Sequence, residues 1–82
     1  MNNVKTLFFA TLRDRVGVRA VDVEIPLQTN VAEFKMILTE KFPMLRGLTR
    51  HILISVNREY AFDDVIIPDA AEIALFPPVS GG

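Results

Sequence analysis

Apolar and polar residues alternate along this chain in runs that predict four or five strands and one long helix. VKTLFFA, Val4 to Ala10, is β-branched and aromatic, a composition that fits a pleated, half-buried surface. RAVDVEIP, Arg19 to Pro26, sets Val21, Val23 and Ile25 against Asp22 and Glu24, the two-residue period of a strand with one face in a core. Together these predict a first hairpin. The intervening TLRDRVGV is too long for a tight turn; it has room for a short helical turn, and Gly17 suits a left-handed position near its end.

Asn30 followed by Glu33 has the spacing of a capping box, and Val31, Phe34, Ile37 and Leu38 then recur at helical intervals. A helix from about Val31 to Phe42 is expected. Lys41 complements the negative end of its dipole, and Pro43 disfavours helical geometry in the residue before it. HILISVN, His51 to Asn57, predicts a third strand, Asn57 and Arg58 a turn, and EIALFP, Glu72 to Pro77, a last strand. Within AFDDVIIPDAA a short edge strand is expected near Val65 to Ile67, ended by Pro68. The order implies an α+β fold, a mixed four- to five-stranded sheet with one main helix packed across it.

Strand alternation also sorts the residues by face. Val4, Thr6 and Phe8 fall on one side of the first strand and Lys5, Leu7 and Phe9 on the other. In the last strand Ile73 and Leu75 oppose Glu72, Ala74 and Phe76. Charged Lys5 and Glu72 mark the outer side, so Leu7, Phe9 and Phe76 are expected to point away from the helix. An exposed Phe presents roughly 150 to 250 Å² of apolar surface, and a few neighbours make a patch fit for a partner. The alternative is that these rings lie under loops, since a single bulge would invert the register.

Composition narrows the function. The 82 residues fit one domain, here 1–76, with 77–82 as a tail. Nine Lys and Arg against ten Asp and Glu give a net charge of −1, which does not favour nucleic acid or an anionic membrane. Cysteine is absent, so disulfides and Cys-based metal sites are excluded, in keeping with a cytoplasmic setting. No signal-peptide pattern or long apolar run appears, and a membrane role is not expected. His51, the single histidine, has no second ligand near it in sequence, and adjacent Asp63 and Asp64 would diverge in an extended segment. None of these is a candidate for catalysis.

The candidate chemistry lies at the C-terminus. In FPPVSGG, Pro77 and Pro78 lack amide hydrogens, so they end the last strand's ladder and favour a stiff, extended exit. The segment from Pro77 to Gly82 reaches at most about 20 Å, enough to enter a neighbouring protein's active site. Gly81 and Gly82 would pass a channel too narrow for side chains. The terminal carboxylate is ionised at neutral pH and must be activated before a nucleophile can attack it. With glycine otherwise only at Gly17 and Gly47, the chain has no phosphate-cradling loop, so another protein must supply the activation.

The order of elements resembles the ubiquitin-like β-grasp. Through LFFATLRDRVG near its start and ALFPPVSGG at its end, and over nearly its whole length, the chain is similar to the family of molybdopterin synthase small subunits. That resemblance implies a sulfur carrier. A ubiquitin-activating-like adenylyltransferase would use ATP and Mg²⁺ to adenylate Gly82, and sulfur would convert it to a thiocarboxylate. The large synthase subunit, in a 2+2 heterotetramer, would accept the tail and pass that sulfur to cyclic pyranopterin monophosphate. No cofactor is expected on this chain itself.

By the same resemblance Gly82 is the catalytic, sulfur-bearing residue, and Val79, Ser80 and Gly81 are inserted with it. Phe9, Phe76 and Tyr60 match apolar contacts to both partner enzymes, and Leu7 shares their outward face. PDAAEI departs from the Gly-containing turn usual in that family, which leaves the geometry of this turn open. The thiamine-pathway sulfur carrier is a second resemblance, usually shorter and without the Pro-Pro exit. A protein modifier joined to lysine through Gly82, or a plain binding module with a frayed end, would share the same tail.

Overall fold

A computed structural model describes residues 1–78. Five strands, β1 (Asn2–Phe8), β2 (Ala20–Ile25), β3 (Leu53–Val56), β4 (Glu59–Tyr60) and β5 (Glu72–Phe76), form one sheet in the order β2-β1-β5-β3-β4. β1 and β5 lie parallel at its centre, and the other pairs are antiparallel. Helix α2 (Val31–Lys41) crosses the inner face, burying Val31, Phe34 and Leu38 against Val4, Phe8, Val23, Ile25, Ile54, Ile73 and Leu75. This is the mixed α+β sheet expected from the sequence.

The local chemistry sets the element ends. Asn30 accepts from the Glu33 amide at 2.8 Å while its own amide donates to Glu33 Oε1 at 3.0 Å, a complete capping box that satisfies a helix-end donor. The helix stops at Lys41, and Pro43 opens a short 3₁₀ turn, Pro43–Leu45, whose Leu45 is buried. The region after β1 holds more than a helical turn: α1 spans Ala10–Val16 and buries Leu12 in the core. Gly17 closes it at φ 88°, its amide donating to the Arg13 carbonyl at 2.8 Å. That reaction of the backbone to a left-handed end is the one Gly17 predicts.

One expected strand is absent and another takes its place. Val65 to Ile67 forms no strand; Ile66 makes an isolated bridge to Asn30. The backbone carbonyls of this segment serve α2 instead, Val65 accepting from the Val31 amide and Asp63 from the Ala32 amide. Satisfying the orphan donors of the helix start replaces a ladder. The fifth strand is β4, reached through Asn57 and Arg58 at φ 50° and 71°, the double positive φ of a tight type I′ hairpin turn. β3 begins at Leu53, two residues later than expected, with exposed His51 outside the strand.

Two asparagines fix the start of β5, the last strand of the sheet. Asn2 Nδ2 donates to the Pro68 carbonyl at 2.9 Å, and its Oδ1 accepts from the Ala70 amide at 2.8 Å. On the other side Asn57 Oδ1 accepts from the Glu72 amide at 2.9 Å. The departure from glycine in PDAAEI has a structural counterpart: Ala70 sits at φ 54°, a left-handed conformation that glycine adopts at lower cost. The Asn2 bond helps hold it there.

Candidate functional site

The outer face of the sheet is built in cross-strand rows. Lys5 lies between Asp22 and Glu72 in register, giving a charged row near the starts of β1 and β5. One step toward the strand ends, Leu7 pairs with Ala74, Ala74 with Ser55, and Ser55 with Tyr60. Beyond that row Phe76 stands opposite Leu53. Polarity therefore changes along the face, from charged to apolar, in the direction in which β5 runs toward Pro77.

Aromatic contacts organise the apolar end. Phe9 continues the extended backbone of β1 by one residue, its amide donating to the Leu75 carbonyl at 3.2 Å. Its ring stacks on Phe76 with centroids 4.8 Å apart and planes 12° from parallel. Tyr60 meets Phe76 edge-on at 6.3 Å. Offset and edge contacts of this kind add to the stability of a cluster beyond the area it buries. The cluster still faces water: Phe9 is 41% exposed and Tyr60 74%. Leu7, Phe9, Tyr60 and Phe76, together with Ser55, Ala74 and the Arg58–Glu72 pair, line one shallow depression of about 320 Å³.

Leu7, Phe9 and Phe76, the three residues expected on the outer face, thus come together with Tyr60 along one depression. Their core-side neighbours in β1, Val4, Thr6 and Phe8, are buried. Pro77, half-buried, and exposed Pro78 follow directly from Phe76. Val79, Ser80, Gly81 and Gly82 lie outside the described residues. Sequence reasoning missed Leu53, 39% exposed opposite Phe76, although the alternation Ile52, Ile54, Val56 against Leu53 and Ser55 carries the signal. Phe62, 84% exposed, extends the apolar border past β4.

Two ion pairs are present among the described residues. Lys35 Nζ meets Asp63 Oδ1 at 2.8 Å, tying α2 to the segment after β4, and Arg58 Nε lies 3.8 Å from Glu72 Oε1. Both are partly or largely exposed and contribute little to stability. Among the described residues no group of three His, Asp or Glu side chains is arranged to hold a metal ion, and no helix is long and apolar enough to cross a membrane.

The sheet order and the crossing helix define a ubiquitin-like β-grasp protein. Residues 6–82 match the ThiS family. A molybdopterin synthase sulfur carrier subunit of Caenorhabditis briggsae is 38% identical over 84 residues, covering 100% of both chains. Among solved structures, SAMP1 from Haloferax volcanii is 30% identical with a TM-score of 0.85, covering 99% of this chain and 100% of that one. Subunits 1 and 2 of the molybdopterin-converting factor from Helicobacter pylori, solved as a complex, include a chain with a TM-score of 0.68 at 23% identity, matched over 98% of this chain and 99% of that one. The chain belongs to the ThiS family.

Proposed function

We propose that the chain is the sulfur carrier subunit of a molybdopterin synthase and is not an enzyme on its own. The observation that carries this reading is the apolar cluster of Leu7, Phe9, Tyr60 and Phe76 at the end of the strand from which the tail departs. Full-length similarity to a carrier subunit in C. briggsae supports it. In this reading the folded body is a handle, and the reactive group is the main-chain carboxylate of Gly82. An adenylyltransferase partner uses ATP and Mg²⁺ to make the acyl-adenylate with release of pyrophosphate. The outer sulfur of a persulfide then displaces AMP to give an acyl persulfide, and a thiol cleaves its S–S bond, leaving a mixed disulfide and a thiocarboxylate, a good nucleophile at neutral pH.

The large subunit accepts Val79, Ser80, Gly81 and Gly82 and supplies the site where sulfur passes to cyclic pyranopterin monophosphate. The solved complex of two converting-factor subunits in H. pylori supports such a pairing, and a 2+2 heterotetramer in the cytoplasm is the expected assembly. Ordering the tail costs about 1 to 2 kcal/mol per residue, so the aromatic cluster must contribute to docking alongside the tail.

A second reading, conjugation of Gly82 to a lysine of a target protein, is favoured by the similarity to Haloferax SAMP1, small archaeal modifier protein 1. Mass spectrometry of the protein from cells separates the two. A carrier shows one terminal oxygen replaced by sulfur; a modifier yields branched peptides. Recovery of only the unmodified chain under molybdenum-cofactor demand would contradict the carrier reading.

A further inference from the structure

The outer face of the sheet has relief as well as polarity. β3 and β5 each set a small outward residue beside a larger one: Ser55 pairs with Ala74, and Leu53 with Phe76. Phe9 stacks on Phe76 at one side. On the other side the Ala61 amide donates to the Ile54 carbonyl at 2.9 Å, which carries the β3–β4 register past Tyr60 and brings exposed Phe62 level with Leu53. Phe9, Phe76, Leu53 and Phe62 thus form an apolar ridge across the sheet. Beside it runs a trough: Ala74 and Ser55, each 7% exposed, form its floor, and Leu7 and Tyr60 its two ends.

A ridge parallel to a trough of the same length is complementary to itself. Two copies laid face to face about a two-fold axis that runs across the strands, between the two rows, exchange the order of those rows. Phe76 of one copy then stands over Ala74 of the other, and Leu53 over Ser55. Leu7 meets Phe9 and Tyr60 meets Phe62 at the two ends, so large side chains fill the space above small ones, as in sheets packed about 10 Å apart. Neither row holds a charged side chain. Lys5, Glu72 and Arg58 lie on the far side of the trough, and the axis sends these charged groups of the two copies to opposite ends of the contact. An axis along the strands would instead set trough over trough and leave the floor unfilled.

We propose that this face is also a self-association surface, on which a second copy of the chain packs ridge into trough in a symmetric dimer. The exposed parts of Phe9, Tyr60 and Phe62 amount to roughly 300 to 500 Å² per copy. Doubled, that area lies below the roughly 1,200 Å² of a stable complex, so the dimer is reversible, with a dissociation constant on the order of 100 μM. Association covers Phe9, Tyr60 and Phe76 and thereby excludes the large subunit from them. That exclusion rests on the docking role proposed above for the cluster; the dimer itself does not.

The test is sedimentation equilibrium of the full chain between about 10 μM and about 1 mM, where the weight-average mass should climb from that of one copy toward that of two. A mass that stays at one copy throughout overturns the proposal. Phe62→Asp, which puts a charge on the ridge at an exposed position, should weaken self-association about 10-fold or more, whereas Leu27→Asp, also exposed but outside this face, should leave it within about twofold. Equal losses in both variants, or none in either, would also overturn it. Circular dichroism checks that both are folded. In a mixture of differently labelled copies, NMR should show contacts between the Phe76 ring of one copy and the Ala74 methyl of the other; contacts confined to another surface contradict the packing. Added large subunit should dissolve the dimer as the heterocomplex forms. A dimer that persists with the large subunit bound to it defeats the docking role of the cluster and leaves the dimer standing, whereas a chain that stays monomeric yet binds the large subunit defeats only the dimer.

Discussion

The two faces of strand β1 carry similar side chains and do different work. Val4, Thr6 and Phe8 are buried under α2, Phe8 meeting Phe42 edge-on at 5.5 Å, and they hold the domain together. One residue out of phase, Leu7 and Phe9 look outward, and the second stacks on Phe76 in view of solvent. The apolar character of an aromatic run thus says little about its role. Its phase relative to the pleat decides whether a Phe is buried in the core or stands on the outer surface.

Substitutions can sharpen that contrast. On the inner side Phe34→Ala should lower unfolding free energy by about 3 to 5 kcal/mol, read by denaturant titration, because it leaves a cavity beneath the sheet. On the outer side Phe76→Ala should weaken binding to the large subunit by about 2 kcal/mol or more in calorimetry, while melting changes far less. An equal loss of stability in both variants would erase the distinction between the faces. Phe9→Asp should likewise weaken partner binding and leave the fold largely intact, because its ring is already half in water.

Smaller effects test the supporting chemistry. Asn30→Ala removes one half of the capping box and should cost about 1 kcal/mol of stability. Thr6 sits fully buried between Val21 and Ile73 in register, and its hydroxyl has no hydrogen-bond partner. Thr6→Val should therefore raise the melting temperature, by a gain on the order of 1 kcal/mol, since a desolvated polar group is replaced by a methyl.

The helix and its limits were legible in the chain because capping and termination are local: Asn30, Glu33 and Pro43 act within a few residues of where they stand. The outward aromatic face was legible through alternation, once charged Lys5 and Glu72 fixed the phase. β4 was not, because two residues, Glu59 and Tyr60, show no period and are defined by pairing with β3 across a turn. The β-branched Val65 to Ile67 invited assignment as a strand, yet its neighbourhood offered helix donors instead of a strand edge. α1 left only Leu12 and Val16 at helical spacing, a faint trace beside its charged residues.

The most direct measurement compares the full chain with one ending at Gly81 in a pyrophosphate-release assay, using the adenylyltransferase, ATP and Mg²⁺. The account predicts release with the full chain and none above background with the shortened one, although both fold alike. Equal release from the two would mean that the terminal carboxylate of Gly82 is not the reactive group.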